Sequence, residues 1–320
     1  MRFLSAFTTA LLALAAPAVA SAQAYPAKPV RVIVAYAAGQ GTDIATRYLA
    51  EQLSRDMGQP FVIENKAGAG GNLGTELAKQ AAPDGYTLTM GTNATHVLNQ
   101  FLYSKLPFDP ATDFEPVVLV GSFPMIMAVN PGSPINTVGD LLSQSQKNAR
   151  GADIAMPSTT ARLVVELLKD RSNVALFGVP YKGSGNAMTD VLGGQVPVIV
   201  DTPTALRPQL AAGKVRAIGV TSGKPSSLVA GVTPVAEQGV SGFEVIAWNA
   251  LYAPKGTPPE VVAALNAAVN KVLARPETRQ KLLDLGFEPA GGTARQLADF
   301  ARAERAKWQP IIKAADIRAD

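Results

Sequence analysis

The sequence predicts an α/β protein of two lobes, each built on a doubly wound sheet, with helices at the C-terminus. Strand-like and helix-like segments alternate along nearly the whole chain, which is typical of parallel sheets covered by helices on both faces. Removal of a predicted leader of 24 residues leaves 296 of the 320 residues, a length that suits two domains. Two long β-rich passages, 116–131 and 243–254, interrupt the alternation and are expected to connect the lobes.

Residues 1–24 have the pattern of a secretory signal peptide. Arg2 precedes an apolar run, and Ala22 and Ala24 form an A-x-A cleavage arrangement in front of Tyr25. The run is short for a membrane anchor and is interrupted by Pro17. We therefore predict cleavage after Ala24 and a soluble mature protein in the periplasm.

The composition excludes several classes of function. The chain contains no cysteine and one histidine, and its formal net charge is +4. A disulfide framework, an iron–sulfur cluster and thiol catalysis are therefore excluded. The basic residues are scattered among acidic ones, so nucleic-acid binding is not supported.

The first lobe begins with a strand, a glycine turn and a helix. The apolar run from Val30 to Val34 is typical of a buried strand, Gly39 and Gly41 allow a tight turn, and Thr42 is expected to cap the helix. The free N–H groups and the dipole of a helix start favour an anion at this turn. A strand at 61–65, a helix near 72–80 and a strand near 85–92 complete the series.

The second lobe repeats the alternation. We predict helices near 137–148, 159–169 and 184–192, and strands at 153–156, 175–180, 196–201 and 215–222. Three C-terminal helices follow, one starting at Pro258 and Pro259, one ending at Gly286 and one near 294–307. The predicted division is 25–124 with 248–320 for lobe 1, and 125–247 for lobe 2.

Ligands of doubly wound sheets bind beyond the carboxyl ends of the strands. The loops expected there carry hydroxyls, small side chains and helix starts, and they are 36–43, 91–96, 156–162, 181–186 and 201–204. Such loops can hydrogen-bond an anion from several sides, and they offer few groups for proton transfer.

Motifs for catalysis and cofactors are weak. "GAGGNLG" at 68–74 lacks the G-x-G-x-x-G spacing, and Ser184 is not in a G-x-S-x-G elbow. A single histidine, His96, cannot build a multi-histidine metal site and is expected near the cleft in a loop or helix start. Asp43, Asp190 and Asp201 could supply a carboxylate pair, although capping roles are commoner. We therefore predict no enzyme activity, no cofactor and no metal.

Ordered motifs over the mature chain carry a family resemblance. They include "YPAKPVRVIV", the glycine loop ending "GTD", "VIENKAGAGGNLG", "AAPDGYTL", "LYSKLPFDPATDF", "VPYKGS", "LGGQV", "LAAGKVRAIGVTS" and "APKGTP". The chain closely resembles the Bug-type extracytoplasmic solute receptors of tripartite tricarboxylate transporters. This resemblance implies a periplasmic binding protein of the Venus-flytrap type that captures a small organic carboxylate for integral-membrane transporter subunits.

The resemblance also implies ligand-binding positions. Carried over residue by residue, and together with the loop reading, they are Tyr36, Ala38, Gly39, Gly41, Thr42, Asp43, Thr92, Asn93, Ser158, Thr159, Thr160, Arg162 and Asp201. Two other functions stay open at this point. One is a ligand sensor for a membrane signalling protein, and the other is a secreted α/β hydrolase that uses Ser184 and His96.

The chain departs from the family pattern in the loop "MPSTTAR", where Arg162 stands in place of a histidine. If Arg162 faces the cleft, its guanidinium can bind a carboxylate with two parallel hydrogen bonds. That arrangement would favour a dicarboxylate or an aromatic acid. The alternative is that Arg162 is solvated, or that it pairs with Glu166 one helical turn away.

Overall fold

A computed structural model describes residues 25–148 and 151–319. The strands are β1 (Val30–Val34), β2 (Phe61–Asn65), β3 (Thr87–Thr92), β4 (Phe114–Pro124), β5 (Ile126–Val129), β6 (Ala152–Met156), β7 (Leu176–Pro180), β8 (Val198–Asp201), β9 (Arg216–Val220), β10 (Ile246–Pro254) and β11 (Glu288–Gly291). The helices are α1 (Gly41–Met57), α2 (Asn72–Lys79), α3 (Asn99–Leu102), α4 (Val138–Gln146), α5 (Thr159–Ser172), α6 (Ser184–Leu192), α7 (Pro203–Ala211), α8 (Pro259–Leu273), α9 (Pro276–Asp284) and α10 (Ala294–Ala314). The predicted signal peptide and its cleavage site lie outside the described residues.

The first sheet has six strands in the order β11-β4-β10-β3-β1-β2. Strands β1, β2 and β3 are parallel, and β1 is buried except at Arg31, whose guanidinium pairs with Glu64 at 3.0 Å. The β4 strand contacts α8 and α10, so C-terminal helices cover this sheet. Four of its strands, β1 to β4, precede the second sheet in the sequence and two, β10 and β11, follow it, so this sheet is built from two separate blocks of the chain.

The second sheet has five strands in the order β7-β6-β8-β5-β9. Strands β6, β7 and β8 are parallel, whereas β5 is antiparallel to both β8 and β9. In the first sheet, β10 is likewise antiparallel to β3 and β4. The α/β fold with two sheets is as predicted, but both sheets are mixed and the prediction of parallel sheets was wrong in this respect.

Both sheets are mixed because the chain crosses between them twice. Parallel neighbours need a long crossover connection. Here only Met125 separates β4 in one sheet from β5 in the other, and β10 carries the chain back from Ile246. The direction of these strands is therefore set by the crossing. The lobe boundaries near 124 and 248 stay a prediction, although the strands change sheet close to both points.

Local signals in the sequence predict most of the elements. The few elements that the prediction missed are those in which these signals are weak. Helix α7 contains Pro203 and Pro208, and β11 is a four-residue strand with Pro289, so neither has a clear hydrophobic period. The expected cap of α1 was wrong, because the helix begins at Gly41 and its N-cap position is Gln40, with no side-chain capping bond.

Within 25–148 and 151–319, none of the helices combines the length and apolar character needed to span a membrane.

Candidate functional site

Four helices start at one place between the two sheets. The first turns of α1, α5 and α6 and the cap of α7 contribute Gly41, Thr160, Ser184 and Thr202 to a single cavity. The first N–H groups of a helix lack partners inside the helix, and the dipole makes this end positive. Convergence of four such ends favours an anion without any cationic side chain.

We call this space the inner cavity, with a volume of about 30 Å³. Its lining residues are Tyr36, Gln40, Gly41, Thr42, Thr92, Asn93, Phe123, Met125, Ser158, Thr160, Ser184, Asp201, Thr202, Ala247 and Asn249. No lysine, arginine or histidine is among them, and Asp201 is the only carboxylate. A volume of this size admits a water molecule or a small polar group such as one carboxylate.

Three buried polar atoms of residues on the wall of the inner cavity have no hydrogen-bond partner of good geometry: Ser184 Oγ, Asp201 Oδ2 and Asn249 Nδ2. An unsatisfied buried polar group costs about 1–3 kcal/mol, so native proteins rarely leave several together. A hydroxyl and an amide N–H are donors that suit a carboxylate oxygen. The three atoms therefore indicate a site that a polar ligand or its bridging waters complete.

The Asp201 carboxyl is only 2% exposed. Its Oδ1 accepts the Thr202 N–H at 2.7 Å. Burial disfavours the charged form and raises the pKa of Asp201 to about 6, although the nearby Ser184 hydroxyl and the N–H and hydroxyl of Thr202 favour the charged form and oppose the shift. Asp201 is therefore an acid that can change its protonation state near neutral pH.

A larger space, which we call the outer cavity, adjoins the inner one and has a volume of about 440 Å³. Its lining residues are Ala35, Tyr36, Gln40, Ala67, Gly68, Ala69, Gly70, Gly71, Tyr103, Met156, Pro157, Ser158, Thr159, Arg162, Pro180, Tyr181 and Lys182. Tyr36, Gln40 and Ser158 line both cavities. The outer cavity differs in charge, because it contains Arg162 and Lys182 and no carboxylate.

The glycine motif near position 70 forms one wall of the outer cavity. Gly70 has φ 62°, and a Cβ there would collide with the Tyr103 hydroxyl. The loop therefore needs glycine both for its left-handed backbone and for the close approach of neighbouring side chains. This explains "GAGGNLG" without a nucleotide.

The two lobes contact each other across both cavities. Gln40 Nε2 donates to the Pro157 carbonyl oxygen at 3.4 Å, and Thr160 Oγ1 donates to Asn93 Oδ1 at 3.2 Å. A Cβ on Gly41 would lie 2.9 Å from Thr202 Oγ1 of the other lobe. The cavities are thus enclosed by residues from both lobes in a closed arrangement.

Most of the predicted site residues meet in this cleft. The inner cavity receives Tyr36, Gly41, Thr42, Thr92, Asn93, Ser158, Thr160 and Asp201, and the outer cavity receives Thr159 and Arg162 in addition to Tyr36 and Ser158. Their role in ligand binding stays a prediction. The pairing of Arg162 with Glu166 is not what the structure has, because Glu166 pairs with Lys169 at 3.2 Å and Arg162 Nη1 donates to the Arg318 carbonyl oxygen at 3.4 Å.

Ala38, Gly39 and Asp43 line neither cavity. Ala38 and Gly39 are exposed, and Asp43 is buried beneath their turn. The Asp43 carboxylate accepts hydrogen bonds from Gly39 N–H at 2.9 Å, Arg47 Nε at 3.0 Å and Asn65 Nδ2 at 2.8 Å. Burial opposes its charge, but these bonds lower the pKa of Asp43 below its usual value. Asp43 therefore holds the turn in place.

The list of predicted site residues omitted several that the structure brings to the cleft. They are Gln40, Tyr103, Tyr181, Lys182, Ser184, Thr202 and Asn249. Asn249 lies in the middle of the apolar strand β10 and donates nothing from its Nδ2, while its Oδ1 accepts Thr42 Oγ1 at 3.3 Å. A lone amide inside an apolar crossing strand is the signal that could have identified it.

His96 lies in the core of the first lobe. It belongs to a π-helical turn, Ala94–Leu98, and its ring stacks on Tyr252 with centroids 3.9 Å apart. Burial and the nearby charge of Arg305 lower the pKa of His96 to about 3, so the imidazole is neutral. His96 lines neither cavity, whereas Ser184 lines the inner one. His96 lies at a helix start, which was one of the two expected positions, but the expectation that it is near the cleft was wrong, and the hydrolase pairing has no support.

Two α/β lobes that close over helix starts and unpartnered polar atoms define a two-lobed solute-binding protein. Residues 45–317 match the family model described as the tripartite tricarboxylate transporter family receptor. The chain belongs to this family, which consists of solute-binding receptors and not of enzymes.

Relatives agree with this assignment over most of their length. The chain is 36% identical to the UPF0065 protein in the tcbD-tcbE intergenic region of Pseudomonas sp. (strain P51), covering 90% of this chain and 87% of that protein. It is 32% identical to Protein BugT of Bordetella pertussis, covering 92% of this chain and 91% of that protein.

Solved structures share the fold. They include R. palustris Rpa4515 with adipate (TM-score 0.88, 34% identity, 92% of this chain and 99% of that one). The periplasmic binding protein BugD has a TM-score of 0.86 with 33% identity over 92% of this chain and 99% of that one. MatC (Rpa3494) from Rhodopseudomonas palustris with bound malate has a TM-score of 0.84 with 32% identity over 90% of this chain and 100% of that one. The fold is that of a two-lobed periplasmic binding protein.

Proposed function

We propose that this protein captures a small dicarboxylate in the periplasm and delivers it to the membrane subunits of a tripartite tricarboxylate-type transporter. The observation that carries the proposal is the pair of buried donors without a partner of good geometry at the inner cavity, Ser184 Oγ and Asn249 Nδ2, beneath four helix starts. One carboxylate of the ligand occupies this cavity. Backbone N–H groups, hydroxyls and bridging water bind it there.

The preference for a second carboxylate comes from the outer cavity. The inner cavity admits one carboxylate group, so the rest of a ligand extends into the adjoining space. Arg162 and Lys182 line that space, and a guanidinium is suited to bind a carboxylate with two parallel hydrogen bonds. The bound adipate and malate of the related Rpa4515 and MatC structures are both dicarboxylates.

An aromatic acid is the second candidate. Three tyrosines, Tyr36, Tyr103 and Tyr181, line the outer cavity, and their rings offer apolar faces on which an aromatic ligand can stack. In this case one carboxylate still occupies the inner cavity, and the ring takes the place of the second carboxylate.

Export and delivery complete the proposal. A signal peptide over residues 1–24 with cleavage after Ala24 would direct the chain to the periplasm. Membership of the transporter receptor family supports delivery to integral-membrane subunits over a role as a ligand sensor.

A matched series of acids tests the proposal. Purified mature protein is mixed with dicarboxylates of four to six carbons, monocarboxylates of the same lengths, and aromatic acids, and its melting temperature is measured. A ligand that binds only the folded state at one hundred times its Kd stabilises it by about 2.7 kcal/mol. We expect the dicarboxylates to raise the melting temperature most. A series in which no carboxylate changes the melting temperature, while an ester is hydrolysed, would contradict the proposal.

A further inference from the structure

We propose that capture of the carboxylate is accompanied by uptake of one proton by Asp201, which then donates a hydrogen bond to the ligand. This inference rests on the proposed function, because it requires a carboxylate in the inner cavity. It makes Asp201 the residue that couples ligand affinity to pH.

The first argument is the position of the Asp201 carboxyl. Oδ1 accepts the Thr202 N–H at 2.7 Å, whereas the buried Oδ2 has no partner of good geometry, and Asp201 is a lining residue of the inner cavity. The cavity volume of about 30 Å³ leaves no room for a thick water layer between Oδ2 and a bound carboxylate. The two groups must therefore lie close together, either in direct contact or through one water molecule.

The second argument is the absence of a compensating cation among the residues that line the inner cavity. The residues around Asp201 come from both lobes, and none of them is a lysine, arginine or histidine. They are Tyr36, Gln40, Gly41, Thr42, Thr92, Asn93, Phe123, Met125, Ser158, Thr160, Ser184, Thr202, Ala247 and Asn249. Tyr36 is the only other titratable group in this set, and burial raises its pKa to about 12. Asp201 is thus the one group of the inner cavity that can exchange a proton near neutral pH.

The third argument is electrostatic. Two ionised carboxylates in one small buried site repel each other, and such pairs hold one proton between them. In the closed arrangement, burial already raises the pKa of Asp201 to about 6 even without a ligand. A ligand carboxylate nearby raises it further. At pH 7.5 the free protein therefore has Asp201 largely ionised, and the complex has it protonated.

The protonated carboxyl contributes a donor where the cavity otherwise has a repelling charge. Its O–H can bond a ligand carboxylate oxygen, and such a charge-assisted bond is stronger than a neutral one. An ionised Asp201 would require a different ligand, one that presents a hydroxyl or ammonium donor next to its carboxylate. A protonated and an ionised Asp201 in the complex differ in the number of protons taken up on binding, which is one in the first case and none in the second.

Calorimetric titration with adipate decides between them. Binding is measured at pH 7.5 in buffers of different ionisation enthalpy, and the dependence of the observed enthalpy on the buffer gives the number of protons taken up. We expect about one proton for each bound adipate. Between pH 7 and 8 the Kd should rise about tenfold, because proton uptake in the complex becomes less favourable at lower proton concentration. Below pH 6 this dependence should flatten.

The variant Asp201→Asn provides the matched test, because its amide also donates a hydrogen bond and carries no charge. It should bind adipate without proton uptake and with a Kd that is nearly constant from pH 6.5 to 8.5. Asp284→Asn, an exposed acid on α9, is the control and should behave as the parent does. If Asp201→Asn does not fold, a parent protein that binds adipate without proton uptake still overturns the inference.

Two results would overturn the inference. In the first, adipate binds the parent with no proton uptake and a flat Kd, which leaves the proposed function intact. In the second, Asp201→Asn still takes up a proton on binding, which assigns the proton to another group. Failure of every carboxylate to bind at any pH would instead remove the proposed function.

Discussion

The inner and outer cavities share three lining residues and differ in almost everything else. The inner one is small, is bordered by helix starts and has no cation among its lining residues. The outer one is larger, is bordered by tyrosines and a glycine loop, and carries Arg162 and Lys182. In the proposed function, the first arrangement binds the common feature of all the expected ligands, a carboxylate. The second is positioned to distinguish one acid from another.

The physical origin of binding also differs. Helix starts and backbone groups belong to the framework of the lobes, and the inner cavity is lined by residues of both lobes, which hydrogen-bond to each other beside it. The cations of the outer cavity are long side chains with exposed surface, and solvent weakens their charge interactions. We therefore expect changes in the inner cavity to have the larger effects.

The largest effect is expected for Gly41→Val. A Cβ at this position lies 2.9 Å from Thr202 Oγ1 and 3.2 Å from Thr204 Oγ1, both on the opposite lobe. The substitution should hold the lobes apart and weaken adipate binding more than about 100-fold, which corresponds to roughly 2.7 kcal/mol. Calorimetry measures the affinity, and small-angle scattering with adipate measures whether the radius of gyration still decreases.

Gly185→Val is the matched control for this prediction. Gly185 lies in the first turn of α6, and a Cβ there meets no atom within 4 Å. Its affinity should remain close to that of the parent. Equal affinities for both valine variants would show that closure against Thr202 is not needed for binding.

A smaller effect is expected for Arg162→Ala, and it should depend on the ligand. Loss of the guanidinium should weaken dicarboxylate binding by roughly 2 kcal/mol, or about 30-fold, because two charge-assisted hydrogen bonds are removed. The matching monocarboxylate should bind both proteins alike. Arg171→Ala, near the C-terminal end of the same helix and exposed, is the control. A uniform loss for mono- and dicarboxylates would contradict the assigned role of the outer cavity.

The smallest effect is expected for Lys182→Ala. Lys182 lines the outer cavity but is exposed, and exposed ion pairs contribute about 0–1 kcal/mol. The variant should lose less than about fivefold in dicarboxylate affinity at low salt, and this difference should vanish at about 1 M salt, where the Debye length is about 3 Å. A loss as large as that of Arg162→Ala, unaffected by salt, would mean that Lys182 binds the ligand directly.

The sequence alone determined the elements and the general location of the site. The predicted strand 61–65 and helix 184–192 coincide with β2 and α6, because hydrophobic period, glycine turns and caps act over a few residues. The cleft loops were predicted for the same reason. A polar loop that follows a buried strand lies at the edge of the sheet regardless of how the strands are ordered.

The tertiary structure alone decided which of these residues meet. Gln40, Asn249 and Thr202 are distant in sequence and line one cavity, whereas Asp43 binds its own turn instead. The structure also decided that Thr160 faces the inner cavity and its neighbour Thr159 the outer one. These assignments depend on contacts between lobes whose strands are far apart along the chain. Local patterns do not encode such contacts, because each depends on the direction of the crossing strands and on how the lobes close.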